Sequence, residues 1–111
     1  MKKLLITITL LLALACGSSD YTVEDFESIG FKKEKQPFFM MVGGIDGWKG
    51  TYNNESVEII FFDQENNLKT FLTGQENSSF YNTVCRIGNT VVMSNENSFC
   101  ELAKNELEWS K

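Results

Sequence analysis

The sequence contains no histidine, one proline and no long apolar run, and each shortage narrows the functions open to the chain. Without histidine it can form neither a Ser-His-Asp triad nor a Cys-His dyad, and no metal site in it can use imidazole. No stretch reaches the roughly 18 consecutive apolar residues that predict a transmembrane helix. Acidic side chains outnumber basic ones by 15 to 10, and the net charge of −5 argues against a nucleic-acid-binding surface.

The overall composition is typical of one folded domain. A length of 111 residues leaves room for a single domain at most. Hydrophobic residues make up 42% of the chain and aromatic residues 13%, which is more than an intrinsically disordered chain contains. We therefore expect one domain with its own hydrophobic core.

The first residues have the pattern of a secretory signal peptide. Lys2 and Lys3 are followed by an apolar stretch over residues 4–15. As a helix this stretch would be about 18 Å long, which is well short of the roughly 30 Å hydrocarbon core of a bilayer. An ordinary buried helix is the alternative, but the stretch is apolar on every face and lacks an amphipathic period. The pattern therefore favours a signal peptide.

The end of this stretch resembles the lipobox of bacterial lipoproteins. The residues before Cys16 are Leu12-Ala13-Leu14-Ala15, and Gly17-Ser18-Ser19 follow it. The family favours Leu three places before the cysteine, where this chain has Ala13. The resemblance implies that a diacylglyceryl group is attached to the thiol of Cys16 and that cleavage falls between Ala15 and Cys16. The alternative is an ordinary secreted protein in which Cys16 carries no lipid.

This resemblance implies a division of the chain and a location. Residues 1–15 would be the signal peptide, 16–20 the lipidated cysteine and its tether, and 21–111 the folded domain. The protein would be anchored extracytoplasmically to the cell membrane through acylated Cys16, since several buried acyl chains hold stably. In a host with two membranes, Gly17 implies sorting to the outer membrane.

Charge and tether length predict how the domain would sit. Without Lys2 and Lys3, eight basic side chains remain against 15 acidic ones. An anionic membrane surface repels such a domain, so the lipid alone is expected to anchor it. Residues 17–20 extend to at most about 14 Å, which keeps the domain close to the bilayer.

The chain has three cysteines, namely Cys16, Cys85 and Cys100. If Cys16 carries lipid, the other two form a pair that should oxidise outside the cytoplasm. The loop between them is short, and the chain-entropy estimate for closing it is about 3 kcal/mol of stabilisation. Two buried reduced thiols are the alternative, because the sequence does not show whether the Cα atoms approach closely enough.

Local patterns predict a first helix and the strand that follows it. Thr22 with Asp25 three residues later forms a capping box, and the helix that begins there ends at Gly30. Residues 32–36 are interpreted as a charged connector. The continuous apolar run over residues 38–42 is interpreted as a buried strand.

Two hairpins and two further helices are predicted after this run. An Asn53-Asn54 turn leads into a strand over residues 57–62 that is apolar on both faces. Asp63 begins a short helix that ends at Gly74. The second hairpin is predicted from strands over residues 84–87 and 90–93 around a Gly88-Asn89 turn. The last helix is predicted from a capping box at Ser98 and Glu101.

The expected fold class is therefore α+β, with the element order α-β-β-α-β-β-α. A small antiparallel sheet of two β-hairpins would be covered by short helices. The glycine-rich segment followed by Val57-Glu58-Ile59 resembles small uncharacterised bacterial lipoproteins, a resemblance that implies no particular chemistry.

The glycine-rich segment over residues 43–50 is the most unusual feature of the expected domain. It cannot be a phosphate-binding loop, because no Gly-Lys-Ser/Thr opens a helix there. As a partner-binding surface it would use Trp48 and Tyr52 as anchors. A flat exposed patch that contains Trp48, Tyr52 or Phe80 would favour a binding protein. The alternative is that the glycines permit a bent strand while Trp48 packs on the core.

No other segment indicates a catalytic or metal-binding site. Residues 63–67 suggest a calcium loop, but Leu68 and Gly74 stand where the EF-hand needs Gly and Glu. The remaining acidic residues are expected on solvated helix faces. We therefore expect no catalytic residues, no metal and no cofactor.

These observations favour a small lipid-anchored, non-enzymatic lipoprotein that binds a protein or another envelope component near the membrane. One form of this hypothesis is an exclusion factor that blocks a surface receptor. The alternative is a small membrane-tethered hydrolase or an enzyme inhibitor with a site that the sequence does not reveal. A deep polar pocket would favour the enzyme, whereas a flat exposed apolar surface would favour the binding protein.

Overall fold

The computed structural model describes residues 20–78 and 80–108. The expected signal peptide and the expected lipidation site Cys16 lie outside these residues. The described part is an α+β fold with a five-stranded antiparallel sheet, which confirms the predicted class. Its elements are α1 (Val23–Glu27), β1 (Lys32–Lys35), a 3₁₀ turn (Phe39–Val42), β2 (Asp46–Tyr52), β3 (Glu55–Phe61), α2 (Glu65–Ser78), β4 (Thr83–Ile87), β5 (Thr90–Ser94) and α3 (Ser98–Ala103), which continues as a π-helical turn (Lys104–Glu108).

The sheet has the strand order β1-β2-β3-β5-β4, so β3 lies at its centre and both of its faces are covered. Val57, Ile59 and Phe61 point into a first core that also contains the buried residues of α1 and α3. Ile60 points to the opposite face, into a second core that includes Leu68 of α2. Alternate residues along a strand face opposite sides of the sheet. The prediction that this strand is apolar on both faces is therefore confirmed.

Both predicted hairpin turns are confirmed. Asn53 and Asn54 have φ values of 51° and 67°, the left-handed pair that a type I′ turn between β2 and β3 requires. Gly88 has φ of 59° at the first turn position between β4 and β5, as a type II′ turn requires. This turn sets the register, in which Cys85 lies opposite Val92.

The run over residues 38–42 is not a strand, and that prediction was wrong. Its last four residues form the 3₁₀ turn, which Gly43 ends with a left-handed φ of 85°. The strand position beside β2 is taken instead by β1, the segment predicted as a charged connector. An edge strand has one unpaired side, so it accepts charged residues that a central strand would exclude.

Several helix boundaries also differ from the sequence-based predictions. The first helix ends at Glu27 with Ser28 as its C-cap, and not at Gly30. The helix α2 continues through Gly74 to Ser78, and a Cβ at Gly74 would meet nothing within 4 Å. A glycine in a helix interior costs only about 1 kcal/mol, which the packing of Leu68 on the second core offsets. The last helix has Asn97 as its N-cap, so the predicted capping box beginning at Ser98 was wrong by one residue.

Cys85 and Cys100 form a disulfide bond, as the cysteine count predicted. Their Cα atoms are 6.3 Å apart, within the range that a disulfide spans. The bond joins β4 to α3 on the first-core face of the sheet, where both residues are buried. It therefore fixes the last helix on the sheet covalently.

Candidate functional site

Trp48 and Tyr52, the aromatic residues predicted to bind a partner, are both half-buried on the first-core face of the sheet. Trp48 lies opposite Ile59 in the neighbouring strand. The Tyr52 ring contacts the Phe99 ring of α3, with 5.0 Å between the ring centroids. Both side chains thus contribute to the first core, and a partner-binding role for them stays a prediction.

Strand β1 covers part of the Trp48 ring. The Lys33 ammonium nitrogen lies 4.6 Å from the ring centroid, close enough for a cation–π contact. The indole Nε1 is buried and has no hydrogen-bond partner. Trp48 is therefore shielded by its neighbours and is a poor candidate for the first contact with a partner.

The glycine-rich segment permits close approach of neighbouring groups. A Cβ at Gly50 would collide with the Lys32 carbonyl oxygen of β1. A Cβ at Gly47 would lie 2.9 Å from both Phe39 Cβ and Ile60 Cδ1. These contacts explain the glycines structurally, since any larger residue would push β1 or the 3₁₀ turn off the sheet.

Five exposed apolar residues cluster around the 3₁₀ turn. We call this cluster the apolar turn surface. Its members and their exposed fractions are Phe38 (86%), Met40 (75%), Met41 (82%), Val42 (37%) and Ile45 (53%). Contiguous exposed apolar groups of this kind mark interaction sites, because water disfavours them. Phe80 lies outside this cluster and is fully exposed in the loop before β4.

The apolar turn surface was missed by sequence reasoning because a continuous apolar run also fits a buried strand. Two features of the run are compatible with a turn as well as with a bounded strand. Pro37 precedes it and Gly43-Gly44 follow it, so it is closed at both ends by residues that interrupt a sheet. The centre of the run is Met40-Met41, and methionine is common at adaptable binding surfaces.

One residue holds the turn in place while its neighbours remain exposed. The Phe39 side chain is half-buried and packs against the second core. Its carbonyl accepts the Gly44 N–H at 3.0 Å, and the Met40 carbonyl accepts the Gly43 N–H at 3.1 Å. Phe38 and Met41 are thus exposed beside and within a turn that has defined backbone hydrogen bonds.

A groove separates the apolar turn surface from helix α2. It has a volume of about 500 Å³ and is lined on one side by Met41 and Val42. Asn67, Phe71 and Gly74 of α2 line the other side. The groove is shallow and open, so it extends the apolar turn surface and does not form a closed ligand cavity.

The apolar turn surface lies at the end of the sheet where the chain enters the domain. The Ile45 N–H donates to the Phe61 carbonyl at 2.8 Å, and the Phe62 N–H donates to the Asn89 carbonyl at 2.9 Å. The Tyr21 N–H donates to Asn89 Oδ1 at 2.6 Å. This row of contacts runs across the end of the sheet from Ile45 to the first residues of the domain.

Basic residues concentrate on the neighbouring sheet edge. Three of the four residues of β1 are exposed lysines, and Lys35 lies opposite Lys49 of β2. Together these lysines are four of the eight basic residues that follow residue 15. Carboxylates lie beside these lysines as well. Asp46 accepts a hydrogen bond from Gln36 at 2.9 Å, Glu34 lies within β1, and Glu58 of β3 lies opposite Lys49. Glu24 of α1 interacts electrostatically with Lys33. Basic and acidic groups are therefore mixed along this edge.

The Arg86 guanidinium lies in β4 next to the Gly88-Asn89 turn, and it is hydrogen-bonded within the protein. Arg86 donates to both carboxylate oxygens of Glu65, at 2.8 Å and 2.7 Å, and to the Gly88 carbonyl at 2.8 Å. The hydrogen bonds from Arg86 hold the pKa of Glu65 below its usual value. This pair joins α2 to β4.

A second polar pair lies on the second-core face. The Tyr81 hydroxyl donates to Glu58 Oε1 at 3.2 Å. Burial, followed by the charge of Glu58 and the hydrogen bond to it, raises the pKa of Tyr81 to about 12. The phenol therefore stays protonated at physiological pH and does not provide a base.

Within residues 20–78 and 80–108, no group of three or more His, Cys, Asp or Glu residues could hold a metal ion. Among the helices of the same residues, none combines the length and apolar character needed to cross a membrane. No protein-family model, curated protein or solved structure matches this chain. The candidate site is therefore assigned from the geometry alone, and it is the apolar turn surface with its groove.

Proposed function

We propose that this protein is a small, lipid-anchored, non-enzymatic lipoprotein that binds an envelope component near the membrane through the apolar turn surface. The observation that carries the proposal is the position of that surface. It lies at the end of the sheet where Tyr21 begins the domain, directly after the expected tether. Acylation of Cys16 would therefore hold the apolar turn surface within reach of the membrane.

The exposed apolar residues support a role in binding, since they are not needed to form either hydrophobic core. Phe38 and Met41 are each more than four-fifths exposed. They contribute little to either core, and such exposure favours aggregation unless a partner covers it. Methionine and phenylalanine side chains are suited to that role because methionine adapts to a partner's shape and aromatic rings bury a large area.

Photo-crosslinking in the producing cells tests this proposal. A photoreactive residue is placed at Met41 in one variant and at Asn54, an exposed turn residue at the other end of the sheet, in the matched control. We expect crosslinked products from position 41 and few from position 54. Equal crosslinking at the two positions would contradict the assignment of the binding surface.

A further inference from the structure

We infer that Met40 and Met41 form a site of reversible oxidation, at which a peroxide converts the thioethers to sulfoxides and thereby weakens binding through the apolar turn surface. The effect on binding rests on the proposed function, because it describes how that surface is regulated. The oxidation itself depends only on where the sulfur atoms lie in the fold.

The first argument is the exposure of the sulfur-containing side chains. Met40 and Met41 are both three-quarters exposed or more, whereas Met93 is buried in the second core and only 1% exposed. In the part of the chain that the structure describes, the other sulfur atoms are those of Cys85 and Cys100, which are buried and already joined as a disulfide. An oxidant from solvent therefore meets the thioethers of the 3₁₀ turn first.

The second argument is the chemistry that this exposure permits. A lone pair of the thioether sulfur attacks one oxygen of hydrogen peroxide, so an S–O bond forms while the O–O bond breaks. The sulfur loses an electron pair to the peroxide, and the hydroxide that leaves takes the proton from the oxygen now on sulfur and becomes water. The product is a sulfoxide, which a methionine sulfoxide reductase returns to the thioether with electrons from a thiol. The oxidation requires no catalytic side chain, so exposure alone determines which methionines react.

The third argument is where the two sulfoxide oxygens would lie. Successive side chains of a 3₁₀ helix diverge by about 120°, so Met40 and Met41 point in different directions. Met41 lines the groove together with Val42, across from Phe71 of α2. Met40 is exposed beside the groove. Oxidation of both residues would therefore make the groove and the surface beside it polar.

The fourth argument is that oxidation would leave the fold intact. Neither methionine belongs to a hydrophobic core, and the turn is held in place by Phe39, which packs against the second core. The Gly43 N–H donates to the Met40 carbonyl, a backbone contact that does not involve the sulfur atom. The modification would thus change the binding surface without unfolding the domain that presents it.

The methionines have a second use, which the test must separate from oxidation. Their flexible side chains adapt to the shape of a partner whether or not they are oxidised. If oxidation has no part in their role, sulfoxides at these positions would leave binding unchanged. A Met40→Leu/Met41→Leu variant separates the two uses, because leucine keeps the apolar volume and cannot form a sulfoxide.

Tandem mass spectrometry measures the oxidation directly. The purified protein is treated with hydrogen peroxide, either folded in buffer or unfolded in urea, and the sulfoxide content of each methionine is followed over time. In the folded protein we expect Met40 and Met41 to react roughly tenfold faster than Met93 or more, since burial restricts the access of the oxidant. In urea the rates should become similar. Reaction of Met93 at the rate of Met41 in the folded protein would overturn the inference.

Photo-crosslinking in the producing cells measures the effect on binding. A photoreactive residue replaces Phe38, which is exposed beside the turn, and the cells are irradiated with or without prior peroxide treatment. We expect peroxide to lower the yield of crosslinked products roughly tenfold, because a polar oxygen would be buried against the partner. The Met40→Leu/Met41→Leu variant is the matched control and should keep its yield. Methionine sulfoxide reductase should restore the yield of the oxidised protein.

An equal loss of yield in the leucine variant would overturn the inference, since the effect would then come from oxidation elsewhere. An unchanged yield from protein whose Met40 and Met41 are shown to be oxidised would overturn it as well. If position 38 forms no crosslinks even without peroxide, the proposed function fails and the effect on binding fails with it. The oxidation rates from mass spectrometry then still decide whether Met40 and Met41 are the modification site.

Discussion

The side-chain amide of Asn89 pairs with both polar backbone groups of Tyr21. The Tyr21 N–H donates to Asn89 Oδ1 at 2.6 Å, and Asn89 Nδ2 donates to the Tyr21 carbonyl at 3.4 Å. The Asn89 backbone carbonyl also accepts the Phe62 N–H at 2.9 Å. One turn residue thus joins the start of the described chain to the central strand and determines at which end of the sheet Tyr21 lies.

Replacement of Asn89 by alanine should lower the free energy of unfolding by about 1–3 kcal/mol, because the Tyr21 backbone groups would lose their partners. Urea denaturation of the folded domain measures this loss. Asn82→Ala, at an exposed loop position, is the matched control and should change stability little. Equal effects of the two substitutions would show that the Asn89 contacts do not hold the start of the chain.

Reduction of the Cys85–Cys100 disulfide should lower the melting temperature by roughly 10–20 °C. The bond closes a loop with a sequence separation of 15 residues, for which the unfolded-state entropy corresponds to about 3 kcal/mol. Mass spectrometry after alkylation, with and without reductant, verifies the bond in protein isolated from the producing cells. Two freely alkylated thiols in the unreduced sample would contradict it.

Much of the fold could be predicted because its determinants are local. Asn53-Asn54 and Gly88-Asn89 favour particular two-residue turns, and each turn fixes the register of its hairpin. Once that register is known, Cys85 falls on the face that α3 covers, and its pairing with Cys100 follows from the cysteine count.

The candidate site could not be predicted, because its determinants are distant in sequence. β1 becomes a strand only through pairing with β2, at a glycine that allows the Lys32 backbone to approach. With that edge position occupied, the apolar run over residues 38–42 has no place in the sheet and forms the 3₁₀ turn. Hydrophobic periodicity carries no information on such competition between segments.

Two glycine substitutions should therefore have opposite effects. Gly50→Ala should destabilise the domain, since its Cβ would collide with the Lys32 carbonyl and displace β1. Gly74→Ala should stabilise it by about 0.5–1 kcal/mol, because the position is helical and its Cβ meets no neighbour. Denaturation of both variants measures the difference. A stable Gly50→Ala protein with β1 still paired would contradict the close approach described above.

Alkaline pH should destabilise the domain through Tyr81. Burial and the Glu58 carboxylate raise the pKa of Tyr81 from its usual value of 10.0 to about 12, so its contribution to stability is complete below pH 10 and is lost as the pH rises through 12. We expect the free energy of unfolding to fall over this interval, and to fall less in Tyr81→Phe. Spectroscopic titration of phenolate absorbance measures the pKa directly. Ionisation of Tyr81 near pH 10 in the folded protein would contradict the expected effect of burial and Glu58.

Acylation of Cys16 is the central claim, and metabolic labelling with a fatty-acid analogue tests it most directly. The wild-type protein and a Ser18→Ala control should both incorporate the label and fractionate with membranes. A Cys16→Ser variant should incorporate none and should be released from the detergent-extractable membrane fraction. Undiminished label on Cys16→Ser, or its unchanged retention in that fraction, would contradict the lipid anchor.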